Sequence, residues 1–145
     1  MSDFKTVLLA IDLSEEAVQV ANKAHSLAKN SGASLHVIHV IEPLSFAYGG
    51  DIPMDFSGIQ DEIQKQAKSQ LSTFSAKYDI SADCQHIVIG RPETEIHAVA
   101  EELNADLVVV GSHGRHGLAL LLGSTANGVL HGAGCDVLAV RVEDN

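Results

Sequence analysis

Hydrophobic positions change their period several times along this chain. Thr6-Val7-Leu8-Leu9-Ala10-Ile11 is a continuous apolar run, the pattern of a strand covered on both faces. Past Asp12 and Leu13, Ser14 reads as the N-cap of a helix whose first turn places Glu15 and Glu16 at the positive end of its dipole. Ala17, Val20, Ala21, Ala24, Leu27 and Ala28 then fall on one helical face, and Asn30-Ser31-Gly32 stops the helix. Ser34 to Ile41 is a second strand, completing a β-α-β unit. Residues Pro43 to Ser57 lose all period: they hold two prolines, three aromatics and a Gly-Gly pair, so they read as a long irregular connection.

Ser57 and Gln60 have the spacing of a capping box. Ile59, Ile63, Ala67, Leu71, Phe74 and Tyr78 supply the stripe of a second long helix. His86 to Ile89 reads as a third strand. Gly90-Arg91-Pro92 turns into a helix with Pro92 near its first position and Ile96, Val99, Ala100 and Leu103 on its buried face. Asp106 to Val110 is a fourth strand with a strong β-branched signal. A glycine-rich stretch, Gly111 to Gly117, follows it, and then a short helix predicted to start near Gly123-Ser124-Thr125 and to stop at Gly132-Ala133-Gly134. Asp136 to Val142 reads as a fifth strand. Alternating strands and helices predict a parallel sheet with helices on both faces and right-handed crossovers. No repeat, linker or low-complexity tract interrupts the 145 residues, so one domain over 1–145 is expected.

Composition narrows the function classes. Nine basic against nineteen acidic side chains give a formal charge of −10, which disfavours nucleic acid and anionic membrane surfaces as partners. The apolar runs are too short to span a bilayer, and the N-terminus lacks the layout of a signal peptide. Two cysteines, Cys84 and Cys135, are too few for a disulfide scaffold and fit a reducing, cytoplasmic setting.

In an open parallel sheet, ligands bind beyond the carboxyl ends of the strands, where strand order reverses. That directs attention to Asp12-Leu13-Ser14 and to Gly111 through Thr125. Glycines there let the backbone approach a ligand closely, and free N–H groups at Gly123, Ser124 and Thr125 would suit a phosphate. Read from spacing alone, Gly111, Gly114 and Gly117 are equally consistent with plain turn glycines. Asp12 also fits a helix-entry turn, Ser124 an ordinary N-cap, and Arg115 either a phosphate partner or an exposed cation. Eight histidines raise the question of a metal. However, His36 and His39 point to opposite faces of one strand, His113 and His116 have no Cys or carboxylate beside them, and His131 lies near a helix C-terminus, so a protein-only site is not expected. No Walker run occurs, and no activated nucleophile stands beside a base.

Several blocks together resemble the universal stress protein family over essentially the whole length. They are Val7-Leu8-Leu9-Ala10-Ile11-Asp12, the strand ending His39-Val40, Val108 through Gly114, Gly123-Ser124-Thr125, and Cys135 through Val140. ATP-binding members share Gly, two residues, Gly, nine residues, Gly, then Ser or Thr. Here Gly111 and Gly114 match the first half and Gly123-Ser124 the second, with Arg115 to Leu122 supplying eight residues instead of nine.

The resemblance implies a doubly wound, Rossmann-like α/β fold, and with the switch-point argument it gives a five-stranded parallel sheet in the order 3-2-1-4-5. By matching position, Asp12 would face the ribose or phosphates and the backbone around Val40 would meet the adenine. Gly111, His113, Gly114, Gly123, Ser124 and Thr125 would wrap the phosphates. The expected ligand is ATP (or ADP or AMP), with Mg²⁺ or Mn²⁺ bridging phosphates and water. The expected role is a cytoplasmic stress-response protein, sensing or regulatory, with little or no turnover. A nucleotide-free dimeric interaction module and a weak ATP-hydrolysing or phosphotransfer enzyme remain the alternatives. A homodimer through Val137 to Val142 is also expected, because that strand has no Pro or Lys to blunt an edge.

Overall fold

The computed structural model describes residues 4–42, 57–111, 129 and 134–142. The apolar runs become strands β1 (Thr6–Ala10), β2 (Ser34–Ile41), β3 (Gln85–Ile89), β4 (Leu107–Gly111) and β5 (Asp136–Val140). The amphipathic segments become helices α1 (Ala17–Ser31), α2 (Ser57–Ala76) and α3 (Pro92–Leu103), with a 3₁₀ turn at Ala82–Cys84. All four strand pairings are parallel, and the order is β3-β2-β1-β4-β5, as expected. The chain therefore starts in the middle of its sheet, and the order reverses between β1 and β4.

Strand alternation divides the interior in two. Val7 and Leu9 of β1 and Leu107 and Val109 of β4 face a cluster with Ala17, Val20, Ala21, Ala24 and Ala28 of α1 and Leu71 of α2. Leu8, Val108 and Val110 face the other way, toward Ile96, Val99 and Ala100 of α3 and the fully buried Val129. Each buried Val, Leu or Ile contributes about 1.5–3 kcal/mol, so β1 and β4 anchor both layers. The α1 face is built mainly from alanines, and small side chains let a helix lie close to a sheet.

Several boundaries differ from the sequence reading. α1 starts at Ala17 with Glu16 as its N-cap residue, and Ser14 does not cap it. β5 stops at Val140 because its partner there, Gly111, is the last residue of β4; buried Val142 lies beyond the ladder. In α2, Ile59 remains 49% exposed, so the stripe begins to pack one turn later than the pattern implies. The connection over residues 43–56 and the predicted helix start at Gly123-Ser124-Thr125 lie outside the described residues.

Candidate functional site

Parallel register decides what meets at the carboxyl edge of the sheet. Ala10 pairs with Ile38, and the same register continued past Ala10 brings Asp12 level with Val40. Leu9 pairs with Val109, and continuation there brings Ile11 level with Gly111. Asp12, Val40 and Gly111 are thus gathered at the ends of three adjacent strands, β2, β1 and β4, at the reversal point. The Val40 side chain, partly buried, packs against the cluster on the α3 face that includes Leu8 and Ile38. His113, Gly114, Gly123, Ser124 and Thr125, together with Arg115, lie outside the described residues.

The turn after β1 is held by Asp12 itself. Its Oδ1 accepts the Ser14 N–H at 3.0 Å and the Ser14 hydroxyl at 2.6 Å. Donation of the hydroxyl to this charged acceptor fixes the Ser14 rotamer toward Asp12, away from the amides of the coming helix that a capping oxygen would accept from. Leu13 takes φ 61°, a left-handed conformation uncommon for a branched side chain. A short turn follows, closed by Ala17 N–H to the Ser14 carbonyl at 3.1 Å, before α1 begins. This arrangement leaves Asp12 exposed at the rim with one oxygen already committed.

Two histidines that sequence reasoning did not assign to the site brace it. His39 Nδ1–H donates to the Ile11 carbonyl at 3.0 Å, fixing the backbone just before Asp12. His97 Nε2–H donates to the Val129 carbonyl at 2.8 Å, tying α3 to a residue that follows the glycine-rich stretch. In both cases the carbonyl acceptor sets the tautomer. Neither contact was legible from spacing, because each joins residues on different elements.

The structure also shows a cross-strand histidine pair. His36 Nδ1 and His86 Nε2 are 3.0 Å apart, with ring centres 5.3 Å apart and planes inclined by 24°. His86 pairs in register with Ile38, two residues from His36, so both rings emerge on the α3 face. Burial pushes both imidazoles below the ordinary value of 6.5; the neighbouring His86 lowers His36 further, and Glu102 pulls His86 back up. The opposite faces expected for His36 and His39 are observed, since His39 engages Ile11 and His36 engages His86. Among the described residues no three His, Cys, Asp or Glu side chains are grouped to hold a metal ion. Also among them, no helix is long and apolar enough to cross a membrane. Both cysteines are free and half-buried, and burial, followed by Asp136 and Asp106, pushes the Cys135 thiol up.

The universal stress protein family matches residues 3–141. The chain is 41% identical over 143 residues to universal stress protein A homolog 1 of Coxiella burnetii, covering 97% of this chain and 99% of that one. The solved structure of universal stress protein UspA from Lactobacillus plantarum superposes with a TM-score of 0.78 at 21% identity, covering 97% and 100% of the two chains. A universal stress protein crystallised in complex with cAMP superposes with a TM-score of 0.63 at 26% identity, covering 98% and 100%.

Proposed function

The chain belongs to the universal stress protein family, and from that premise we propose that it binds an adenine nucleotide at the carboxyl edge of its sheet, between the turn after β1 and the glycine-rich stretch after β4. The observation that carries this reading is the convergence of Asp12, Val40 and Gly111 at the order reversal. A structural neighbour in complex with cAMP supports the same ligand class.

The described residues fit such a ligand. Val40 offers a half-buried apolar edge suited to a base. An exposed carboxylate at Asp12 suits ribose hydroxyls, which can donate to it. Beside phosphates that same charge would repel unless a Mg²⁺ or Mn²⁺ lay between them. Gly111, His113, Gly114, Gly123, Ser124 and Thr125 would supply backbone amides and a hydroxyl to the phosphates, with Arg115 as the one fixed cation of the stretch. When bound, ATP, ADP or AMP would act as a regulatory signal with little or no turnover, in one cytoplasmic domain spanning 1–145. We read β5 as the site of homodimerisation.

Heat-denaturing the purified protein and chromatographing the supernatant tests occupancy directly: an adenine nucleotide should be released. Gly114→Val should abolish ATP binding in calorimetry with only a modest loss of thermal stability, since a β-branched side chain blocks close approach and positive φ. Ser124→Ala should weaken binding less, by about 1.5–3 kcal/mol. The eight-residue stretch Arg115 to Leu122 favours one alternative, a nucleotide-free interaction module. Flat titrations for wild type and Gly114→Val alike, with no nucleotide released on heating, would establish it.

A further inference from the structure

We propose that the His36–His86 pair is an acid-operated latch on strand β3, closed while at most one of the two imidazoles is charged and open once both are. β3 is an end strand of the described sheet and pairs with β2. Any loss at that seam therefore frees β3 without disturbing β1 or β4.

The geometry is that of an N–H···N bond. Nitrogens 3.0 Å apart and ring centres 5.3 Å apart place the two nitrogens nearly on the line joining the rings, with the planes close to coplanar. One facing nitrogen carries a hydrogen and the other a lone pair. Two neutral rings satisfy this arrangement, and so does a pair with one added proton. The first solvent proton goes to His86, where Glu102 stabilises it, and His86 Nε2–H then donates to His36 Nδ1 as a charge-assisted bond. A second proton can enter only at His36 Nδ1. Both facing nitrogens would then carry hydrogens, and the bond becomes a contact between two cations.

No other described charge on this face offsets that contact. Glu102 is the facing charge from α3, while β1, β2 and β3 contribute Leu8, Ala10, Ile38, Val40 and Val88. Leu71 of α2 and Cys84 pack on the opposite face. The sign follows from the direction of both shifts. Imidazoles held below 6.5 contribute stability that is present above pH 6.5 and withdrawn as pH falls beneath it. The two steps belong to the pair, and the latch opens on the second.

Hydrogen exchange of the full chain at about pH 7.5 and about pH 5, corrected for intrinsic rates, provides the test. Amides of β3 should lose protection by about tenfold or more in acid while those of β1 keep theirs. His36→Gln and His86→Gln should abolish the acid loss, because the amide oxygen can accept from a charged ring and the amide nitrogen can donate to a neutral one. Loss in both variants, equal loss in β1 and β3, or unchanged β3 protection in wild type would overturn the latch. Imidazole ¹⁵N titration of wild type decides independently of whether the variants fold. Two coupled steps below 6.5 support the proposal, and independent titration of both rings at the ordinary value overturns it.

Discussion

Asp106 precedes β4 and joins three strands through four contacts. Its Oδ1 accepts the amide hydrogens of Thr6 at 2.7 Å and Lys5 at 3.1 Å, its own N–H donates to the Thr6 carbonyl, and its carbonyl accepts from Asp136. The Thr6 amide, more than any other group, holds this carboxyl below its ordinary value of 3.8. A depressed carboxylate gives stability that is present above that value and lost as pH falls through the folded-state pKa. Asp106→Ala should therefore lower unfolding free energy at neutral pH in urea titrations, by about 1 kcal/mol, because solvent screens so accessible a carboxylate. The gap should narrow as pH falls below 3.8 and through the folded-state pKa, where wild type also loses the charge. An equal gap at neutral and at acid pH would mean that the side chain acts by packing alone.

At the scale of elements, α1 illustrates what the pattern could and could not show. Its stop was legible: Gly32 takes φ 68°, its N–H reaches the Ala28 and Lys29 carbonyls, and Ala33 N–H returns to Ala28 at 2.8 Å. A Cβ at Gly32 would meet nothing within 4 Å, so Gly32→Ala carries only the left-handed backbone penalty. Thermal unfolding should show a loss of about 1 kcal/mol; a neutral result would mean that the turn relaxes to another conformation. The start of α1 was not legible, because Ser14 is a good cap by identity but Asp12 captures its hydroxyl. All five strands could be read: β1 and β4 are continuous apolar runs buried on both faces, and β2, β3 and β5, less buried, still carry short apolar, β-branched runs. The His36–His86 pair could not, because it depends on how β2 and β3 align. For the site, the switch-point rule pointed to Asp12 and to the stretch from Gly111 to Thr125, whereas Val40 came from the family resemblance. The phosphate roles of His113, Gly114, Gly123, Ser124 and Thr125 rest on that same resemblance.

For the whole molecule, the decisive surface is the outer edge of β5. Asp136 N–H points inward to the Asp106 carbonyl, so by alternation Val137 and Ala139 direct their backbone groups away from β4. Ala139→Pro would remove only an outward N–H and leave the β4 ladder paired. If two copies join through this edge, wild type should scatter light as a dimer at micromolar concentration, and Ala139→Pro should shift it toward monomer or aggregate. A monomeric wild type would rule out the edge as a dimer contact.

Because β1 and β4 are apolar on both sides, sliding either strand by one residue would exchange one greasy layer for another and bring little oil into water. Hydrophobicity, which makes these strands, is therefore nearly blind to their alignment. Proofreading falls to the few polar atoms at the rims: the Asp106 carboxylate counts off Lys5 and Thr6 at one end, and the His39 ring checks Ile11 at the other. The most buried part of the protein takes its alignment from residues that are themselves only partly buried.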